Sequence, residues 1–215
     1  MRIAVFASGR GTNFEKIADG IVSGKINGEI ALLFTDRKEA PVIEKAKERG
    51  IEVVFLSPSK FESRESYDRE ILNILERYKI DLICLAGYMR IVTPVLIEPF
   101  KHRILNIHPS LLPAFPGLNV QKKAVDYGVK ISGATVHIVD TGVDTGPVVV
   151  QAAVPVDIND TDKSLSEKIL RWEHRIYPQA VKWFVDGRVK VVGRKVVIEG
   201  ADYTSLPAVP ALEDF

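Results

Sequence analysis

Short runs in which nearly every residue is apolar recur through the first half of this chain, each followed by a stretch patterned like a helix. The runs are Ile3–Ala7, Ile30–Thr35, Val53–Leu56 and Leu82–Ala86. A strand wet on one face alternates apolar with polar residues, whereas one covered on both faces is apolar at almost every position. The intervening stretches, about Asn13–Ser23, Val42–Arg49 and Tyr67–Tyr78, carry helical spacing; the last places Ile71, Leu72, Leu75 and Tyr78 on one face. This alternation predicts an open, Rossmann-like α/β architecture with a mostly parallel central sheet flanked by helices.

The second half breaks that rhythm. Arg103–Ile107 reads as a strand entering a proline-rich loop, Pro109–Gly117. Lys130–Asp140 and Gly146–Val156 read as longer strands, giving the C-terminal part antiparallel character. A helix is predicted from about Asp162 to Gly187, kinked or divided by Pro178. Val189–Val192 and Val196–Ile198 flank Gly193-Arg194 as a hairpin would. With no repeat, low-complexity tract or clear linker, one domain over residues 1–200 is expected, followed by an extended tail at 201–215.

Composition removes several classes of function. The 215 residues carry 29 Lys and Arg against 28 Asp and Glu, so the basic surplus of a nucleic-acid binder is missing. Cys84 is the sole cysteine, which excludes an intrachain disulfide and a thiolate zinc cage. Set inside Leu82–Ala86, it reads as a core thiol rather than a nucleophile. The longest run free of charged residues, Ile104–Gln121, holds Pro109, Pro113 and Pro116, which would break a membrane helix. No signal peptide is apparent, and a cytoplasmic protein without membrane or nucleic-acid partners is expected. No His-Glu-x-x-His or His-x-x-x-His spacing suggests a metal site, and no Gly-x-Ser-x-Gly elbow suggests a serine nucleophile.

Two constellations remain. Ser8-Gly9-Arg10-Gly11-Thr12-Asn13 follows the first strand and opens a helix, where glycines allow close backbone approach and free N–H groups suit a phosphate monoester. The plain alternative is a tight turn capped by Thr12 or Asn13. Phe14 stands where a dinucleotide fingerprint needs glycine, so Asp36, placed like an NAD-ribose carboxylate, argues little for that cofactor. In the second, Asn106 and His108 share a strand face just before Pro109. Asp140 reads as a turn residue. Asp144 is either another turn residue or a carboxylate held against His108, which would favour the imidazolium. His102 reads as a solvated residue, His137 as structural or as a support to the site from behind, and Glu173-His174 as a surface pair.

The segments SGRGTN, FESRESYDREI, LAGYMRIV, ILNIHPSLLPAFPG, GATVHIVDTGVDTGP and EHRIYP span nearly the whole chain, and together the sequence resembles the folate-dependent formyltransferase family. The SGRGTN loop and short chain point to the purine-pathway branch. Methionyl-tRNA formyltransferases carry a further C-terminal domain, and formyltetrahydrofolate deformylases usually a preceding regulatory one. The resemblance implies transfer of a formyl group from the co-substrate 10-formyltetrahydrofolate to the primary amine of glycinamide ribonucleotide (GAR), without a metal, in a monomer or homodimer. It implies a catalytic set of Asn106, His108 and Asp144. Gly11, Thr12 (commonly Ser in the family), Asn13 and Glu173 would contact GAR. Arg64, Met89, Arg90, Ile91, Val92, Asn106 and the loop Asp140, Thr141, Gly142, Val143 and Asp144 would form the folate site. A relative that formylates an amino sugar, a 10-formyltetrahydrofolate hydrolase, and a non-catalytic phosphate- or nucleotide-sensing domain are the competing readings.

Overall fold

Each apolar run of the first half forms a strand in the computed structural model, which describes residues 1–213. The chain divides into two compact units, Met1–Asn106 and a second from Ile107 onward. The first unit contains β1 (Arg2–Phe6), α1 (Thr12–Val22), β2 (Glu29–Thr35), α2 (Val42–Glu48), β3 (Val53–Phe55), α3 (Arg64–Arg77), β4 (Leu82–Leu85) and α4 (Pro94–Ile97). It also holds the first three residues of β5 (Ile104–His108). Its strands pair in parallel in the order β3-β2-β1-β4-β5. Strand succession reverses between β1 and β4, the switch point beyond which open α/β sheets receive ligands.

Two-sided burial explains the apolar runs: Ile3 through Phe6 and Ile83 through Cys84 have no exposure at all. Phe6, Phe34 and Tyr88 stack edge-on or tilted, with Phe6–Phe34 centroids 4.6 Å apart. Helix α3 begins three residues before the predicted start because Ser63 and Ser66 form a reciprocal capping box. Its buried stripe is Tyr67, Ile71, Ile74 and Leu75, a slightly rotated face on which Leu72 is only half-buried.

The second unit contains α5 (Val120–Tyr127), β6 (Ile131–Ile138), β7 (Val148–Pro155), α6 (Asp162–Val185), β8 (Val189–Val192), β9 (Lys195–Ile198) and β10 (Ala208–Val209). Strands β6 and β7 are antiparallel, and β10 adds antiparallel to β7. The pair β8–β9 forms a separate hairpin. The expected tail therefore returns as a two-residue strand, while residues 214–215 lie outside the described residues. Helix α6 runs through Pro178 undivided, so of the two effects expected there division does not occur. Pro178 sits within the continuously buried stretch Ile176–Val181, and that packing outweighs the cost of roughly 3 kcal/mol for an interior proline. Among the described residues, no helix is long and apolar enough to cross a membrane.

Candidate active site

At the switch point of the first unit, the Ser8 N–H donates to the Gly87 carbonyl at 3.2 Å, tying the turn after β1 to the turn after β4. Gly11 is the N-cap of α1, at φ 73° and ψ 27°, and no side chain caps the helix. A left-handed glycine, rather than a capping side chain, holds the N-cap position. Only glycine serves there: a Cβ would lie 2.2 Å from Val42 Cγ2, in a conformation unfavourable to other residues. Asn13 is buried and Thr12 half-buried at the start of the helix, where backbone N–H groups and the helix dipole favour an anion. A cavity of about 510 Å³ opens beside the turn, lined by Ser8, Gly9, Arg10, Arg37, Lys38 and Pro41 among others.

Asp36 is engaged with protein, not poised for a ribose: its Oδ1 accepts from Ser8 Oγ at 2.6 Å. The same Ser8 Oγ accepts from Met89 N–H at 3.3 Å. At its other end, the Met89–Val92 loop is fixed by the Thr93 N–H, which donates to buried Asp68 Oδ2 at 2.5 Å. Burial pushes the Asp68 carboxyl up despite that bond and the Arg90 charge. Arg90 lies over the Tyr67 ring, 4.9 Å from its centroid. Burial also raises the Tyr67 hydroxyl to about 12 and the Tyr88 hydroxyl further. Met89 and Ile91 are exposed and Val92 is buried, so the loop offers apolar surface beside the half-buried Arg90. Arg64 is exposed at the first position of α3.

In the second unit, His108 closes β5 and is only 5% exposed. Its Nε2 is 2.9 Å from the Phe115 carbonyl and its Nδ1 is 3.4 Å from Asp144 Oδ2. A carbonyl only accepts, so Nε2 carries the hydrogen, and a second proton on His108 would sit between Nδ1 and the carboxylate. Asp144 has φ 54°, an uncommon conformation for a residue with a side chain. Its carboxylate also accepts from Gly117 N–H at 2.8 Å and lies 3.6 Å from His137 Nε2. Turn residue and imidazole partner are thus one residue, which closes the alternative left open by the sequence.

Electrostatics run against one expectation. Burial lowers the His108 pKa below its ordinary value, outweighing the Phe115 carbonyl and the Asp144 charge that favour the cation. For Asp144 burial works upward, but hydrogen bonds from His137 and Gly117 and the His108 charge overcome it and hold the carboxyl low. The loop after β5 is fastened by Thr135, whose Oγ1 donates to Ser110 O at 2.6 Å and accepts from Leu112 N–H at 3.1 Å. Gln151 Nε2 donates to Leu112 O at 2.8 Å and to Thr135 Oγ1 at 3.0 Å. Among the described residues, no group of three His, Cys, Asp or Glu could hold a metal.

The pattern of the formyl transferase family matches residues 1–181. The chain belongs to that family. It is 39% identical over 200 residues to the phosphoribosylglycinamide formyltransferase of Escherichia coli K12, covering 93% of this chain and 94% of that one. It is 40% identical over 181 residues to the enzyme of the same name from Bacillus subtilis 168, covering 84% and 93%. Glycinamide ribonucleotide transformylase 1 from Symbiobacterium toebii superposes with a TM-score of 0.90 at 47% identity, covering 92% of this chain and 93% of that one.

Within this formyltransferase fold, Asn106 and His108 occupy alternate positions of β5, half-buried and buried respectively. Asp140 Oδ1 accepts from Gly142 N–H at 3.1 Å and from Thr145 Oγ1 at 2.6 Å, shaping a loop whose Thr141, Gly142 and Val143 are exposed. Glu173 is 9% exposed on α6, which overturns the surface-pair reading. Its spacing from Ile169 and Ile176, four and three residues, places it on the buried stripe. His137 is 2% exposed and reaches Asp144. Its alternation with Thr135 along β6 was the signal available. Nothing in the sequence pointed to Ser8 or Asp68 as anchors of the Met89–Val92 loop.

Proposed function

We propose that this formyltransferase moves the formyl group of 10-formyltetrahydrofolate to the primary amine of GAR, as the names of its relatives suggest, and that Asn106, His108 and Asp144 carry the chemistry. The observation that carries the reading is a buried imidazole set against a carboxylate at a strand end, with no activated nucleophile beside it. Ser110 Oγ is occupied with the Ala114 carbonyl at 2.6 Å, and Cys84 lies buried in the sheet. An amine substrate supplies its own nucleophile, so neither is needed.

Attack of an amine on a formyl carbon leaves negative charge on oxygen and positive charge on nitrogen. The His108 Nε2–H and the Asn106 amide would donate to that oxygen, a role worth roughly 3 kcal/mol per donor elsewhere. When Nε2–H turns from Phe115 O, Ser110 Oγ, 3.3 Å from the same carbonyl, satisfies it by swinging its one hydrogen away from Ala114 O. His108 begins on the neutral side because burial disfavours its cation. It therefore has a place for the proton that the attacking nitrogen must lose, at Nδ1 facing Asp144. The resulting imidazolium is stabilised by the carboxylate and by the oxyanion, and returning the proton to the departing nitrogen restores the starting state.

Gly11, Thr12 and Asn13 would hold the 5′-phosphate of GAR at the start of α1, with Glu173 contacting the same substrate. Arg64, the Met89–Val92 loop and the Asp140–Asp144 loop would hold the folate. The exposed Met89 and Ile91 suit a flat heterocycle. This reading calls for no metal and places the enzyme in the cytoplasm as a monomer or homodimer. Incubating the protein with 10-formyltetrahydrofolate with and without GAR tests it. Tetrahydrofolate released only when GAR is present is the expected result. Release without GAR would make the protein a hydrolase, turnover only with an amino sugar a different formyltransferase, and binding without turnover a sensor.

A further inference from the structure

The β8–β9 hairpin lies beyond residue 181, where the family match ends, yet it reaches the loop that carries Asp144. Strands β8 and β9 pair from Val189↔Ile198 to Val192↔Lys195, leaving Gly193 and Arg194 as the two-residue turn. Gly193 alone of the two has positive φ, 59°, the pattern of a Gly-X hairpin turn, and this fixes Arg194 at the tip. The hairpin is itself well held: Val196 and Ile198 are buried, and Ile198 N–H donates to Tyr203 Oη at 2.7 Å. Arg188 Nε donates to the Glu199 carbonyl at 2.8 Å. From this platform Arg194 Nη2 donates to the carbonyl of Thr145 at 2.7 Å.

Thr145 follows Asp144, whose left-handed backbone needs its neighbours to hold it. On one side Asp140 gathers Gly142 N–H and Thr145 Oγ1. On the other Gly146 lies so close to β6 that a Cβ would fall 1.7 Å from Ile138 O. We propose that Arg194 is a positioning residue for the acid–imidazole pair, its guanidinium holding the Thr145 carbonyl and so the Asp144 carboxylate where it meets His108. The contact joins residues 49 apart and fastens the loop from beyond residue 181, where the family pattern ends. The ionisable groups facing His108 are Asp144, His137 on β6 and Lys123 on α5, none of which Arg194 replaces. The inference rests on the proposed function for its kinetic readout alone.

The test compares wild type with Arg194→Ala, Arg194→Lys and, as a control on the same hairpin, Lys195→Ala. Ring-nitrogen NMR follows the titration of His108 in each, alongside kcat and KM for amine and folate and the thermal midpoint. In Arg194→Ala, His108 is expected to titrate at lower pH than in wild type, because a displaced carboxylate favours its cation less. On the order of tenfold is expected to be lost from kcat, with KM changed about twofold or less, since misplacement acts on the reacting geometry. Arg194→Lys restores part of both, and Lys195→Ala changes neither. A His108 titration superimposable on wild type in Arg194→Ala overturns the proposal, even if the thermal midpoint falls. If wild type transfers no formyl group, the functional reading fails while the NMR titration still decides the role of Arg194.

Discussion

Each unit carries a glycine-bearing turn beside polar side chains, and the two turns are built from different materials. The Ser8–Asn13 turn offers backbone N–H groups, a helix dipole and three exposed cations, Arg10, Arg37 and Lys38. The Asp140–Gly146 loop holds one carboxylate between two imidazoles that are 5% and 2% exposed. Groups of the first kind bind an anion without changing protonation state. Of the second kind, His108 and Asp144 have had their proton affinities altered by burial and contact, which suits them to chemistry. The contrast sets a turn suited to an anion in the first unit against a buried acid–imidazole pair in the second.

The strongest attempt to break that division removes the second kind of group. His108→Ala and Asp144→Ala are expected to lower kcat by roughly 10²–10⁴-fold while circular dichroism and the thermal midpoint show a folded protein. Near-wild-type turnover in both would leave the second unit without its assigned role. Next, Gly11→Ala places a methyl against Val42 at a positive φ, so KM for GAR is expected to rise on the order of tenfold or more. Steady-state kinetics with each substrate varied should show the folate KM changing much less; equal losses would contradict the assignment of phosphate to this turn.

Acid should affect the two units in opposite directions. The folded pKa of His108 is depressed, so between that value and 6.5 the unfolded chain binds more protons and stability rises with pH. Asp144, also depressed, contributes stability above 3.8 that is lost as pH falls through its folded value. Asp68 is raised, so the folded state binds more protons between 3.8 and that value, and stability falls as pH rises there. Urea midpoints of His108→Asn should therefore gain on wild type as pH drops below 6.5. Those of Asp68→Asn, which keeps an acceptor for Thr93, should gain as pH rises above 3.8; parallel curves would refute the assignment. The smallest effect is expected from Ser8→Ala, which removes the bonds to Asp36 and Met89. About 1 kcal/mol of stability and a few-fold in folate KM are the expected losses, read from urea unfolding and initial rates.

The parallel strands were legible because two-sided burial writes itself into composition, residue by residue. Helix α5 was not, since only Val120 and Ala124 of its eight residues are buried. Asn106 and His108 could be placed on one strand face from alternation alone. The direction of the His108 shift could not, because it depends on how much protein surrounds the ring, and that depends on packing from β6 and the loop after β5. The same applies to Thr135 and Gln151, which fasten that loop across 23 and 39 residues of chain. Glu173 shows the opposite case: its helical spacing was visible, but a carboxylate defaults to the surface in any reading that lacks tertiary contacts.

The single thiol, fully covered in β4, gives the first unit a clock that the second does not have. A cysteine-directed alkylating reagent can reach Cys84 only when β4 leaves its neighbours, so labelling kinetics would record how often that sheet opens. Repeating the measurement with each substrate bound would reveal which of them closes the first unit down.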